Sequence, residues 1–230
     1  MNITTQTILF ASVFLAIIIV DIFKKTKKNN LSLLITFSGA YLLGTITQHL
    51  LPELFLHSKS HSIGVFILLG FIFQILLEYF SEGIEHGHYH KKKSIPLTIL
   101  ISLCIHAFIE GIPLSGHLHH HSHNNLLTAI VMHKLPVSIV LLTIFLDNGF
   151  SKTKAYFYLF IFALMAPLGL ITSHFFNGIL EFQNQIMAIV IGILLHISTT
   201  IIFESSNSHK FTRPKIITII LGLIVSILSI

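Results

Sequence analysis

The sequence predicts an all-α polytopic membrane protein with eight transmembrane helices. Three observations lead there. Charged residues make up 10% of the 230 residues and hydrophobic ones 53%, whereas a soluble domain carries about 25% charged residues. The apolar residues gather in long blocks, and a transmembrane helix needs about 20 mostly apolar residues. The polar–apolar alternation of a membrane β-barrel is missing. The blocks lie at roughly 3–23, 31–51, 62–80, 95–115, 126–146, 155–176, 185–203 and 215–230, each end good to a few residues.

The first block reads as a retained helix with its N-terminus outside. A secretory signal places its positive charges before the apolar core; here Asn2 to Gln6 is uncharged, and Lys24, Lys25, Lys27 and Lys28 follow the core. The second block ends in "QHLLPE", where His49 and Glu53 share a face at the outer end. The third, "GFIFQILLEYF", runs into the histidine-bearing stretch "EHGHYH" (85–90). The fourth interrupts its apolar run with "HAFIEGIP", which sets His106 and Glu110 one helical turn apart. The fifth carries "HKLP" at 133–136. Pro113 and Pro136 each remove a backbone hydrogen bond and favour a kink. The sixth block contains "APLG" (166–169), the seventh contains His196, and the eighth is short.

The net charge is +5, from 14 Lys and Arg against 9 Asp and Glu, and its distribution reads as topology. Lys24, Lys25, Lys27 and Lys28 follow the first block, Lys91, Lys92 and Lys93 the third, Lys152 and Lys154 the fifth, and Lys210, Arg213 and Lys215 the seventh. The even-numbered connections hold only Lys59. By the positive-inside rule the odd connections are cytoplasmic and both termini are outside. The basic balance is therefore no nucleic-acid footprint. The lone cysteine, Cys104, has no intrachain disulfide partner. No Walker or dinucleotide motif occurs, which sets ATP hydrolysis aside. The Ile-, Lys-, Asn- and Phe-rich composition points to a bacterial inner membrane.

Ionisable side chains inside membrane helices are costly and functional by default. Measured from the external connection between helices four and five, His106 lies about 14 Å deep, Glu110 about 8 Å and His133 about 11 Å. Two neighbouring antiparallel helices thus bring two imidazoles and one carboxylate to one level. Zn²⁺ takes such N and O ligands in tetrahedral geometry; Fe²⁺, Mn²⁺ and Co²⁺ also fit. His196, about 16 Å below the outer end of helix seven, either completes the coordination, serves an exit path, or is a hydrogen-bonded core histidine. His49 and Glu53, with His57, His61 and His174 near the same surface, line a candidate entrance. His-rich tracts suggest metal binding. His117, His119, His120, His121 and His123 read as external capture, and His86, His88 and His90 as receipt inside; solvated polar loops are the plainer alternative. Cys104 points to a different face from His106 and reads as packing.

"HAFIEG" (106–111) followed by "HKLP" (133–136) resembles the paired signature of the ZIP (Zrt/Irt-like) divalent-metal transporters. Their fourth helix carries His-Asn-x-x-Glu-Gly or a close variant, and their fifth His-Glu-x-Pro-His-Glu or a relative. The likeness extends through "LLGTITQHLLPE" (42–53), "GFIFQILLEYFSEGIEHGHYH" (70–90), "APLG" (166–169) and "GILLHISTTIIFE" (192–204). The resemblance implies one transmembrane transporter domain over residues 1–230, both termini outside, with His-rich loops at 81–94 (cytoplasmic) and 116–125 (external). Helices one to three and six to eight would form an inverted repeat around helices four and five, a 3+2+3 arrangement. It implies zinc-preferring uptake through a transport site of His106, Glu110 and His133, with release past Glu82, Glu85, His86, His88 and His90. Zn²⁺ is then a transported substrate, and no catalytic cofactor is expected.

The chain departs from that family pattern at four positions. Ala107 stands where the family has Asn, Lys134 and Ala166 where acidic residues are usual, and Val137 where a ligand His or Glu is usual. Only one metal is then expected in the core. Lys134 either substitutes for the second metal or snorkels away from the site. Two other functions compete with transport. An intramembrane zinc hydrolase would use an open metal position to activate water, but Glu110 is committed as a ligand and no HExxH pattern is present. A non-transporting metal-binding or sensing protein is motivated by Lys134 and Val137. The expectation is a transporter, not an enzyme, whose partners are metal ions and the lipid bilayer. A homodimer through small-residue helix contacts is open, although no clean GxxxG pattern marks it.

Overall fold

The computed structural model describes residues 3–23, 28–58, 62–81, 97–115, 120–176, 178, 181–204 and 212–229. These residues are almost wholly helical, with no strand among them. In chain order the helices are α1 (Ile3–Phe23), α2 (Lys28–Thr45), α3 (Ile63–Ser81), α4 (Leu97–Gly111), α5 (His120–Asp147), α6 (Lys152–Phe175), α7 (Gln183–Glu204) and α8 (Arg213–Leu228). Seven helical segments are long and apolar enough to cross a membrane; α8, with 16 residues, is not one of them. The chain is a multi-pass all-α membrane protein.

Three local features depart from a plain reading of hydropathy. Past Thr45, α2 continues as a π-helical turn (Ile46–Leu50) and a further α segment (Leu51–His57). Leu51 N–H reaches back to the Ile46 carbonyl, and Pro52 then occupies the first turn of the new segment, where its missing N–H costs little. Past Gly111, α4 tightens into a 3₁₀ turn, Ile112–Ser115, which contains Pro113. By contrast α5 runs unbroken through Pro136. It also begins at His120, within the tract expected to be an external loop. Hydropathy marks only the apolar part of a helix; polar residues such as His123 and Asn124 continue it beyond that part without penalty.

The closest interhelical packings are α3 on α7 and α2 on α8, then α4 on α6 and α1 on α5, with α2 against α7 and α1 against α6. Exchanging α1–α3 with α6–α8, and α4 with α5, maps these six pairs onto one another, but it leaves α2 on α5 and α3 on α4 without a close counterpart. The same pairs sort the helices into two groups: α1, α4, α5 and α6, and α2, α3, α7 and α8. The groups meet along a seam where α2 faces α5 and α3 faces α4.

Close approach within each group depends on small residues, as expected where no hydrophobic force drives helices together. A Cβ at Gly111 of α4 would land on the Ala166 carbonyl of α6, and one at Gly169 of α6 on the Phe108 carbonyl of α4. Gly70 of α3 and Gly192 of α7 are locked together in the same way, against the Ile189 and Ile67 carbonyls. Overpacking a core typically costs about 1–3 kcal/mol. Gly111→Val is therefore expected to lower the thermal midpoint in detergent and to weaken metal binding, because it lifts α4 and both of its ionisable residues off α6. Gly64→Ala, whose new methyl enters open space, is the control and should leave both unchanged. Thermal unfolding of the two purified variants checks this.

At one end of the bundle Asp21 joins α1 to α6. Its carboxylate takes Lys152 Nζ at 2.6 Å and the Tyr156 hydroxyl at 2.7 Å. Ser151 caps α6 by accepting from Lys154 N–H.

Candidate metal centre

Helix α4 has a 3.6-residue turn, so His106 and Glu110 project from one face. His106 Nε2 lies 2.9 Å from Glu110 Oε1. His133 enters from α5, its ring edge-on to that of His106 at a centroid distance of 5.8 Å. One ligand atom from each of the three lies within 4.8 Å of the others, and all three residues are buried. Ligand atoms around a tetrahedral zinc stand about 3.3 Å apart, given Zn–N of about 2.0 Å. Small side-chain movements therefore close the trio on a metal. Among the described residues this is the only group of three or more such ligands. Helices α4 and α5 are not a closely packed pair, and the ligand side chains occupy the space between them.

The shell around the trio comes from elsewhere in the chain. Gln74 of α3, fully buried, places Oε1 3.1 Å from His106 Nδ1. A carbonyl oxygen only accepts, so Nδ1 carries the hydrogen and the Nε2 lone pair faces Glu110. Lys134, next to His133, is 1% exposed. It does not snorkel: its Nζ finds no hydrogen-bond acceptor among the described residues and stands 4.8 Å above the Phe162 ring, close enough to Glu110 and Cys104 to act on both electrostatically. Three of the positions that depart from the family pattern are packed out with apolar side chains: Ala107, Val137 and Ala166 are all buried.

His196 does not join the trio. Its Nε2 pairs with the Glu78 carboxylate of α3, lies 3.4 Å from Thr200 Oγ1, and its ring meets Phe71 edge-on at 4.9 Å. The reason is packing, since α7 lies on α3 and not beside the His106 face of α4. Glu78 is one turn beyond Gln74 on α3, so this pair lies next to the metal centre along the helix. His49 sits in the π-helical turn, and its Nε2 is 3.4 Å from the Ser226 carbonyl of α8. Among the described residues no hydrogen bond or ion pair joins it to Glu53; its ring turns to α8 instead. His57 and His174 are exposed. His120, His121 and His123 lie in the first turn of α5. Glu82, Glu85, His86, His88, His90, His61, His117 and His119 fall outside the described residues.

Gln74, Glu78 and Phe162 are the residues that sequence reasoning missed. A signal existed for two of them. Gln74 and Glu78 are polar residues four apart in the apolar run "GFIFQILLEYF", and polar groups at that depth are functional by default. Phe162 carried no signal.

A bundle of membrane-crossing helices with a His₂Glu cluster buried between its two central helices defines a multi-pass membrane protein with a metal-type site. Comparison with known proteins agrees. The model of the family "ZIP Zinc transporter" matches residues 85–229, and the chain belongs to that family. Curated relatives include zinc transporter ZIP9-B of Xenopus laevis, 28% identical over 120 residues, covering 49% of this chain and 40% of the relative. Zinc transporter ZIP9 of Xenopus tropicalis matches at 28% with the same coverage. Zinc transporter ZIP9 of Micropogonias undulatus matches at 27%, covering 49% of this chain and 39% of the relative. The chain spans about 40% of the length of the curated relatives it matches. The family match takes in His106, Glu110 and His133 but begins after α3, so it leaves out Gln74 and Glu78.

Proposed function

We propose that this protein carries divalent metal ions, zinc preferred, across a cell membrane into the cytoplasm. The observation that carries the reading is the buried convergence of His106, Glu110 and His133 within 4.8 Å on membrane-crossing helices. Three protein ligands leave a fourth position for water, which lets a metal enter hydrated and leave again. Membership of the zinc-transporter family supports zinc as the cargo, and Fe²⁺, Mn²⁺ and Co²⁺ fit the same donors. Metal enters from outside past His49 and Glu53, and leaves past Glu78 and His196 towards Glu82, Glu85, His86, His88 and His90. The two helical groups rock or gate against each other around the site. The assignment of sides rests on the lysine distribution, which puts the connection after α3 in the cytoplasm. Composition, not the vertebrate relatives, supports a bacterial inner membrane. Residues 1–230 act as one transporter domain.

The test is metal uptake by proteoliposomes reconstituted with the purified protein, run beside a lipid-hydrolysis assay. Zinc accumulation without hydrolysis is expected. Hydrolysis without accumulation would replace the carrier by an intramembrane hydrolase, and metal binding with neither would make it a sensor.

The histidines of the external tract supply a further expectation. Replacing His117, His119, His120, His121 and His123 together by Ser should slow uptake several-fold at scarce zinc and change it little when zinc is abundant, since capture limits the rate only when metal is dilute. Equal loss at both concentrations would place these residues in the core pathway or in the folding of α5.

A further inference from the structure

We propose that Gln74 is a positioning residue for metal binding, holding the His106 imidazole in the one tautomer that can bind metal. The inference rests on the carrier reading above. A metal on His106 needs the Nε2 lone pair, which is available only when the ring hydrogen sits on Nδ1. A buried Nδ1–H needs an acceptor, because leaving it unsatisfied costs about 1–3 kcal/mol. The structure provides an acceptor for it in Gln74 Oε1 at 3.1 Å, on a side chain with no exposed surface. The Nε2 lone pair then faces Glu110 Oε1 at 2.9 Å, two acceptors side by side that a cation between them would satisfy.

The choice of an amide has a consequence for turnover. Metal-binding histidines commonly hand their second nitrogen to a carboxylate, which raises ligand basicity. A carboxamide orients the ring equally well but is neutral, so it raises basicity less and permits release. Position adds to this. Gln74 belongs to α3 and His106 to α4, which lie in different helical groups and face each other across the seam. Movement along that seam withdraws the acceptor from His106 and so lowers metal affinity as the site opens. Gln74 thus ties affinity for the cargo to the relative placement of the two groups.

The test compares Gln74→Leu, Gln74→Glu and Gln74→Asn with the unsubstituted protein, measuring Zn²⁺ affinity in detergent and uptake kinetics in proteoliposomes. Gln74→Leu keeps the bulk and removes the acceptor, so affinity should fall about 10–100-fold, the usual cost of losing such an outer partner. Gln74→Glu keeps an acceptor and makes it more basic. It should bind zinc at least as tightly while turning over more slowly, with KM and maximal rate both falling. A residue that only fills space would give the reverse order, since a buried carboxylate disturbs packing more than a leucine. Affinity of Gln74→Leu within two-fold of the unsubstituted protein, or of Gln74→Glu below that of Gln74→Leu, overturns the proposal. If Gln74→Leu does not reach the membrane folded, Gln74→Glu and Gln74→Asn decide by the same rule, because the shortened amide cannot span the gap and should bind more weakly than the carboxylate. His106→Ala separates the two levels of inference. If it binds zinc as the unsubstituted protein does, the transport site itself is wrong. If it loses binding while the Gln74 variants do not follow the expected order, only the role of Gln74 falls.

Discussion

Replacing His106, Glu110 or His133 by Ala is expected to abolish metal uptake while folded protein remains in the membrane. Each substitution removes one of three donors that converge within 4.8 Å. Losing a partner that merely orients a ligand costs about 10–100-fold in affinity, so losing a ligand should cost more. Structural damage should be modest by comparison, since the apolar core packs around these side chains and the Ala variants only reduce volume. Glu110→Gln sharpens the test, because it retains shape and one acceptor oxygen but loses the charge that draws a cation into the bilayer. Uptake of ⁶⁵Zn and size-exclusion profiles of the same preparations are the measurements. Normal transport by any two of the Ala variants would refute the site. Affinity should also decline as pH falls from 7.5 to about 5.5, because an imidazole must be neutral to donate to metal and protons compete for it across this range. Affinity unchanged over that interval would contradict histidine ligation.

The second large effect is expected at Lys134. A lysine within the bilayer costs several kcal/mol unless its charge is answered. Here the ammonium is 1% exposed, faces the Phe162 ring at 4.8 Å and acts on Glu110. The resemblance to the family pattern implies an acidic residue at this position. A fixed cation there repels a second metal and offsets the Glu110 carboxylate, which leaves a single-metal site. Elemental analysis of protein lacking residues 116–119 and the 82–94 tract, with His120, His121 and His123 replaced by Ser, should therefore find at most one metal per chain. Lys134→Glu should raise this towards two by adding a carboxylate and deleting the repelling charge. Two metals in the unsubstituted core would refute the idea. Lys134→Met with unchanged stoichiometry and transport would reduce the lysine to a packing role on Phe162.

Much of this protein was decided locally. Apolar blocks of membrane-crossing length set the helix count, because a bilayer admits only segments whose backbone groups are all paired internally. The fixed rise of a helix converts residue number into depth, so the levels of His106, Glu110 and His133 followed from counting residues. Adjacency of α4 and α5 in the chain made their convergence the expectation, although the two helices are held in place by α6 and α1 and not by close packing on each other. Lys134 was visible as an intramembrane cation for the same reason. Helix ends were less legible, as the start of α5 at His120 and the π-helical turn at Ile46–Leu50 illustrate, because hydropathy reports burial in lipid and not backbone pairing.

What only the tertiary structure decided is the choice of neighbours between distant segments. His196 is paired with Glu78 and not with His106, across 118 residues of sequence; His49 is held by Ser226, 177 residues away; and Gln74 reaches His106 from 32 residues upstream. These partners depend on which helix lies beside which. That choice is made by glycine-sized gaps such as those at Gly111 against Ala166 and Gly70 against Ile189. Every helix in a bilayer is apolar outside, so hydrophobic pattern cannot rank its possible neighbours; only the fit of one backbone against another can.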